Sequence, residues 1–336
     1  MHKANFWTQA VIENAVDCHL CHQFCTIREG RKGICGVRKN LDGQLYSLNY
    51  GKLIAAHIDP IEKKPLFHFL PGSYSYSIAA PGCNFRCSWC QNWEISQAST
   101  RNNPESLAYT APEKVVEAAR EGGCQSISYT YTEPTIFYEY ARDVSRLARE
   151  VGLKNVWVSN GYMSDAMLDE CLPMLDAINV DLKAFDETIH RKFTGAHLQP
   201  ILDNCRKLKK VGVWLEVTTL LIPGINDDEA QIKGLADFIA NDLGKDTPWH
   251  VSRYYPQPQF REIQATDPGK VAQALKIGKD AGLQYVYGGN LGTREDSYCP
   301  VCGELMIVRS SSYILENKLD HGNCPECGSR IAGIWE

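Results

Sequence analysis

Fourteen cysteines stand in a chain of 336 residues, and eleven of them fall into three compact groups. Cys18, Cys21, Cys25 and Cys35 lie in CHLCHQFCTIREGRKGIC. Cys83, Cys87 and Cys90 lie in CNFRCSWC. Cys299, Cys302, Cys324 and Cys327 form the knuckles CPVCG and CPECG. Each C-P-x-C-G knuckle can set two thiolates on one side of a tight turn, so the last group reads as a tetrahedral four-sulfur site, most often filled by zinc. The segment between the knuckles, LMIVRSSSYILENKLDHGN, reads as a strand-rich insert with too little core to fold without its metal. The first group, spaced x2, x3 and x9, can hold zinc or an auxiliary iron–sulfur cluster. His19 and His22 inside that loop widen the ligand choice, and the spacing leaves both metals open. The middle group differs because it has three thiols. Three cysteines ligate three irons of a cubane and leave the fourth iron open to a small chelating ligand. Cys124, Cys171 and Cys205 stand alone in helical or strand patterns and read as small buried apolar side chains.

These thiols must be carried by a fold. YSYSIAAPG, just before Cys83, reads as a strand that ends at Pro81-Gly82 and releases the three-thiol loop from its C-terminal end. From 73 to 290 the pattern repeats strand then helix, which predicts an α/β fold. Strands are expected at 75–80, 126–131, 155–159, 177–182, 212–219 and 249–255, with a seventh candidate at 284–287. Helices are expected in PEKVVEAAREG, FYEYARDVSRLAREVG, SDAMLDECLPML and QPILDNCRKLKKVG, the first punctuated by Pro112 and Gly122. About six β-α units in one direction give a partial barrel or an open parallel sheet, and either puts functional residues at the C-terminal strand ends. Those ends carry Cys83 to Cys90, Tyr131-Thr132-Glu133-Pro134, Ser159-Asn160-Gly161, Asp181-Leu182-Lys183, Thr218-Thr219 and Arg253-Tyr254-Tyr255-Pro256. A nicotinamide-binding half is disfavoured, because the first β-α turn holds cysteines where a GxGxxG would stand.

Flanking this region, 1–72 reads as a cysteine-rich unit with a β-hairpin around Asp42-Gly43, and 291–336 as a zinc-ribbon-like tail. With 44% hydrophobic and 22% charged residues, the chain has enough apolar mass for a core. Lys plus Arg total 35 against 40 Asp plus Glu, a net charge of −5, which offers no electrostatic footprint for nucleic acid. MHKANFWTQA lacks a signal-peptide h-region, and no apolar run reaches the ~20 residues of a membrane span. A cytoplasmic protein with reduced thiols and no membrane partner is the expectation.

APGCNFRCSWCQN resembles the CX3CX2C signature of the radical S-adenosylmethionine (radical SAM) superfamily, including the aromatic residue before the last cysteine. TYTEP at 130–134 is similar to the GGEP segment of glycyl-radical-enzyme activases, such as those of pyruvate formate-lyase. SNG at 159–161, DLKAFDETIHRKFTG at 181–195 and LLIPGINDDE at 220–229 also resemble that branch. As a whole, with its DCHLCHQFCTIREGRKGICGVR front end and cysteine-rich tail, the chain resembles the radical enzyme of the AmmeMemoRadiSam system. The resemblance implies a partial (βα)6, TIM-like barrel. Cys83, Cys87 and Cys90 would hold a [4Fe–4S] cluster, with the amine and carboxylate of S-adenosylmethionine on the fourth iron. Reductive cleavage would give methionine and a 5′-deoxyadenosyl radical for hydrogen abstraction, with an electron donor such as flavodoxin or ferredoxin.

Further cofactor contacts are implied for Trp89, Tyr131, Thr132, Glu133, Ser159, Asn160, Asp181 and Lys183, and a substrate pocket for His190, Arg253 and Tyr255. Thr194 also matches the activase-like motif. The chain departs from GGEP at Tyr131 and Thr132, where the glycines would ease a close backbone approach to the methionyl amine. That departure weakens a direct transfer of activase function. The leading class is a radical SAM oxidoreductase acting on an unidentified substrate. A glycyl-radical-enzyme activase is the alternative, followed by a radical RNA methyltransferase and a zinc-ribbon binding module. Other proteins of the AmmeMemoRadiSam system are the implied partners.

Overall fold

The computed structural model describes residues 1–97, 104–310 and 312–336. The chain divides into two compact units. The first comprises Met1–Asp59, Tyr74–Asp176 and Lys192–Asn204, and the second Pro60–Ser73, Ala177–Arg191 and Cys205–Glu336. The fold class is the expected α/β, built on parallel strands.

In the first unit, strands β1 (Tyr74–Ala79), β2 (Ser126–Tyr129) and β3 (Lys154–Ser159) pair in parallel, with Ser77 opposite Ser128 and Tyr129 opposite Trp157. Parallel pairing brings their C-terminal ends to one edge. β2 is buried at every position, as expected of a parallel strand covered on both faces. Helices α1 (Pro112–Glu121), α2 (Tyr138–Glu150) and α3 (Asp165–Cys171) follow the strands in turn. α2 buries Tyr138, Ala141, Val144, Ser145 and Ala148, the i, i+3, i+4 stripe of an amphipathic helix. β2 stops two residues short of the expected end. Thr130 still donates to the Ile78 carbonyl, but Tyr131 takes a left-handed φ of 63° and turns the chain toward Glu133.

The cysteine-rich start of this unit is two small antiparallel sheets. One joins Trp7–Gln9, Ala15–Cys18 and Thr26–Arg28. The other joins His2–Lys3, Gln44–Ser47 and Arg38–Leu41. The foreseen hairpin turns at Asp42 (φ 51°) and Gly43 (φ 71°), the two positive angles a type I′ turn requires. Arg38 fixes these sheets to α2. It makes a bidentate ion pair with Glu139 at 2.6 and 2.7 Å, with both side chains buried, and it also donates to the Asn5 carbonyl.

In the second unit, β4 (Ala177–Asp181), β5 (Trp214–Leu221), β6 (Trp249–Arg253) and β7 (Val286–Gly289) pair in parallel in chain order. The start of β5 falls later than expected because Gly212 (φ 84°) still belongs to the preceding turn. Helices α4 (Glu187–Thr194) and α5 (Gln199–Val211) carry residues of both units, and α6 (Glu229–Phe238) and α7 (Pro268–Asp280) complete the alternation. Asp228 and Asp267 cap α6 and α7 by accepting from the backbone N–H of Gln231 and Gly269.

The tail adds an antiparallel sheet of Ser297–Tyr298, just before the first knuckle, and Leu305–Ser310 and Tyr313–Asn317, between the two knuckles. Its core is shared: Cys299, Met306, Ile307, Cys324 and Ile331 pack with Phe67, Tyr285 and Tyr287. Beneath them runs a buried hydrogen-bonded chain whose direction is forced by its ends. Arg309 donates to Ser297 Oγ at 2.6 Å. The Ala332 carbonyl can only accept, so His68 donates to it from Nδ1 at 2.8 Å. His68 Nε2 then accepts from the Tyr287 hydroxyl at 2.6 Å, and that oxygen accepts from Ser297. Burial pushes His68 down to about 4, so the neutral ring this chain requires is the stable form. Buried Glu216 closes the network by accepting from the backbone N–H of Phe67 and His68, from Trp214 Nε1 and from His250 Nε2.

Candidate functional site

The three-thiol loop leaves β1 through Pro81 and Gly82. Gly82 has a φ of 104°, and a Cβ there would stand 2.9 Å from both the Cys35 carbonyl oxygen and Val37 Cγ1. Only glycine satisfies both constraints. The loop backbone is then pinned from outside, since the N–H of Arg86 donates to the Thr194 carbonyl (2.8 Å) and that of Ser88 to the Phe193 carbonyl (3.2 Å). Gln23 donates to the carbonyls of Asn84 (2.9 Å) and Gly195 (3.2 Å). The FTG part of the DLKAFDETIHRKFTG motif therefore supplies backbone acceptors that hold the cysteine loop. The sequence showed no signal for this role, nor for Gln23.

Cys83, Cys87 and Cys90 are partly buried. Burial, then the Glu133 charge and the neighbouring thiols, push the Cys83 thiol well above its usual value. A thiolate at Cys83 needs a compensating cation, which fits a metal-holding loop.

Glu133 is buried and its carboxylate organises the adjacent strand ends. Oε1 accepts from the Thr135 backbone N–H (3.1 Å), the Thr135 hydroxyl (2.6 Å) and the Ser159 hydroxyl (2.8 Å), and Oε2 accepts from the Asn160 N–H (2.8 Å). Burial raises its pKa, against these hydrogen bonds, which lower it. Glu133 is thus the N-cap of the short helix Pro134–Phe137 and a tie to β3 at once. Asn160 passes the connection on, donating from Nδ2 to Asn84 Oδ1 at 2.8 Å, with Cys83 Sγ 4.0 Å away. Asn84 is a site residue that the sequence reading missed. It lies inside the CX3CX2C spacing, where only the cysteines attract attention.

Tyr131 and Thr132, where the activase pattern has glycines, keep the turn by other means. The Tyr131 hydroxyl donates to Asp59 and its carbonyl accepts from Asn92. Thr132 Oγ1 donates to the Ala80 carbonyl at 2.7 Å. Trp89 is buried against Phe193, with ring centroids 5.6 Å apart. The first unit therefore brings Cys83, Trp89, Tyr131, Thr132, Glu133, Ser159 and Asn160 to one edge.

The remaining candidates lie in the second unit. Asp181, the last residue of β4, and Lys183, just past it, pair with each other at 2.7 Å. His190 is buried in α4. Arg253, at the end of β6, stacks on Tyr255 with its guanidinium carbon 4.8 Å from the ring centre, and Tyr255 donates to the Asn290 carbonyl. Cys124, Cys171 and Cys205 are buried, as expected. Burial raises all three, Cys205 to about 12, which removes them as nucleophiles.

The tail cysteines have the geometry of a single-ion site. Cys299 and Cys327 sulfurs are 3.7 Å apart and those of Cys302 and Cys324 3.6 Å apart, and all four lie within 4.8 Å of one another. A tetrahedral ion with metal–sulfur bonds of about 2.3 Å needs sulfurs ~3.8 Å apart.

With this geometry in hand, the comparisons are direct. The model of the Radical SAM superfamily matches residues 77–236. An uncharacterized protein of Methanocaldococcus jannaschii is 41% identical over 98% of this chain and 99% of its own length. The chain belongs to the radical SAM superfamily. It is an enzyme, and the family implies a [4Fe–4S] cluster and S-adenosylmethionine. The pyruvate formate-lyase 1-activating enzyme of Escherichia coli K12 is 25% identical over 48% of this chain and 67% of its own. A radical SAM methyltransferase from Sphaerobacter thermophilus shares the fold, with a TM-score of 0.52 and 17% identity over 70% of this chain and 71% of that one. Among the described residues, no helix is long and apolar enough to cross a membrane.

Proposed function

We propose that Cys83, Cys87 and Cys90 hold the family's cluster and that S-adenosylmethionine chelates its open iron, making the chain an oxidoreductase that abstracts hydrogen from a substrate still to be identified. The observation that carries this reading is the hydrogen-bonded path Glu133–Asn160–Asn84 beside the three-thiol loop. When bound and reduced, the cluster and S-adenosylmethionine supply a 5′-deoxyadenosyl radical. The chain's own residues orient and shield. Glu133 is a positioning residue, because its oxygens already hold Ser159 and Asn160 in place. The backbone of Tyr131 and Thr132 would receive the methionyl amine. Ser159, Asn160 and Asp181 would bond its polar groups, Lys183 would meet the carboxylate, and Trp89 would cover the cluster. His190, Arg253 and Tyr255 are assigned to the substrate pocket. Zinc is assigned to the tail, whose sulfur spacing fits one ion. The fourteen cysteines fit a reducing cytoplasm and a low-potential flavodoxin or ferredoxin as electron donor. Proteins of the AmmeMemoRadiSam system remain the proposed partners.

An activase acting on a protein glycine is the second reading, favoured by the similarity to the Escherichia coli activating enzyme. Anaerobically reconstituted, reduced protein should convert S-adenosylmethionine to 5′-deoxyadenosine and methionine. The Cys83→Ala/Cys87→Ala/Cys90→Ala variant should not, and retained cleavage there would sink the assignment. A glycyl-radical signal, when the protein is mixed with a glycyl-radical enzyme, would decide for the second reading.

A further inference from the structure

Within the first unit, the cysteine-rich start of the chain meets the strand ends through one short segment. Residues 20–23 run antiparallel to residues 162–164, in the loop that follows β3. Cys21 pairs with Met163, the His22 N–H donates to the Tyr162 carbonyl (3.2 Å), and the Ser164 N–H donates to the Leu20 carbonyl (3.2 Å). Buried Asn204 fixes the same loop, donating from Nδ2 to the carbonyls of Gly161 (2.8 Å) and Met163 (2.7 Å). Tyr162 is buried, with its ring edge-on to Phe85 of the three-thiol loop at 5.4 Å between centroids, and its hydroxyl accepts from the His197 N–H (3.2 Å).

Gln23 closes a ring of hydrogen bonds on this platform. Its Nε2 carries two hydrogens, one for the Asn84 carbonyl and one for the Gly195 carbonyl. Asn84 Oδ1 accepts from Asn160 Nδ2, and Asn160 leads through Gly161 to the Tyr162 carbonyl that receives His22. The path Gln23–Asn84–Asn160–Tyr162–His22 thus returns to its start across three segments distant in sequence. The Asn84 side chain also bonds that of Cys21, a second tie from the same segment. In such a network each bond holds the geometry of the next, so releasing Gln23 loosens Asn84 and, through it, Asn160.

We infer that Gln23 is a positioning residue for S-adenosylmethionine. It holds the three-thiol loop and Asn160 in the mutual geometry that binding requires, so the N-terminal cysteine unit is a working part of the site. This rests on the proposed function, in which Cys83, Cys87 and Cys90 carry the cluster and Asn160 meets S-adenosylmethionine.

The test compares the full-length, anaerobically reconstituted protein with its Gln23→Leu, Gln23→Glu and Gln23→Lys variants. Gln23→Leu removes both donors, Gln23→Glu sets a carboxylate against two carbonyls, and Gln23→Lys restores N–H donors. S-adenosylmethionine binding is measured by equilibrium dialysis and by its effect on the electron paramagnetic resonance spectrum of the reduced cluster. It should weaken about tenfold in Gln23→Leu, further in Gln23→Glu, and less than about threefold in Gln23→Lys. KM should rise in the same order, while 5′-deoxyadenosine release at saturating S-adenosylmethionine stays within about threefold of wild type. In the metal-free proteins, the N–H groups of Arg86 and Ser88 should exchange faster in Gln23→Leu while α2 keeps its protection. Wild-type affinity in Gln23→Leu, a loss that Gln23→Lys does not restore, or exchange that rises equally in α2 would overturn the inference. Wild-type protein that binds no S-adenosylmethionine would instead bring down the proposed function, and this inference with it.

Discussion

Four cysteines near each end of the chain invite one explanation, yet the folded molecule treats them differently. In the tail, the close sulfur contacts run between the two C-P-x-C-G turns, Cys299 to Cys327 at 3.7 Å and Cys302 to Cys324 at 3.6 Å, so the site forms when the sheet strands Leu305–Ser310 and Tyr313–Asn317 bring the turns together. In the N-terminal group, Cys18 ends a strand, Cys21 and Cys25 follow in the next loop, and Cys35 precedes the hairpin strand Arg38–Leu41. All four line one cavity of the first unit. The settings differ too. Arg38 and Asn84 line the first site, whereas in the tail Cys299 and Cys324 share an apolar core with Phe67, Tyr285 and Tyr287 and Cys302 and Cys327 are exposed.

The comparison breaks first at the metals. Chelating the metal assigned to the tail, or substituting Cys302→Ser, should remove on the order of 10 kcal/mol of metal-linked folding energy. Amide exchange across Leu305–Ser310 should become rapid while α2 keeps its protection. Equal loss of protection in α2 would show that the tail is not an independent metal-dependent element. Next in size, Arg38→Met leaves Glu139 buried without its cation and should cost about 3–5 kcal/mol in denaturant unfolding. Glu139→Gln in the same background should recover part of it, and no recovery would assign the loss to packing.

The pH response should be specific to the second unit. His68 binds its proton at about 4 when folded and near 6.5 when unfolded. Between these values the unfolded chain holds more protons, so stability falls as pH drops through that window, by about 3 kcal/mol in all, and is complete above it. Glu216 is held below its ordinary value: burial alone would raise it, but the hydrogen bond and charge of His250 and the charge of His68 prevail. It adds a further loss only at lower pH. Stability profiles of wild type and His68→Asn measure this, and parallel curves from pH 6.5 to 5 would discount His68. Smaller still, Gly82→Ala should cost roughly 1–3 kcal/mol, since it strains φ and crowds Cys35. It should also disturb the spectrum of the cluster assigned to the Cys83 loop. A neutral effect would mean that the loop relaxes without loss. The smallest effect is expected from Tyr131→Phe, about 1 kcal/mol for the lost bond to Asp59.

Much of this protein was legible in one dimension because its signals are local. Residue type and spacing alone marked the three cysteine groups, the Asp42-Gly43 turn, the Pro112 start of α1, and the alternation that becomes β1–β7. Each depends on backbone preferences within a few residues. What only the tertiary structure decided is which distant groups meet. Gln23 and the carbonyls of Phe193 and Thr194 hold the Cys83 loop, Glu133 turns from candidate ligand into the brace of Ser159 and Asn160, and His68 locks a tail more than two hundred residues away. Those partners are chosen by burial, which leaves each polar atom to find its complement across the fold, and no periodicity in the sequence records that choice.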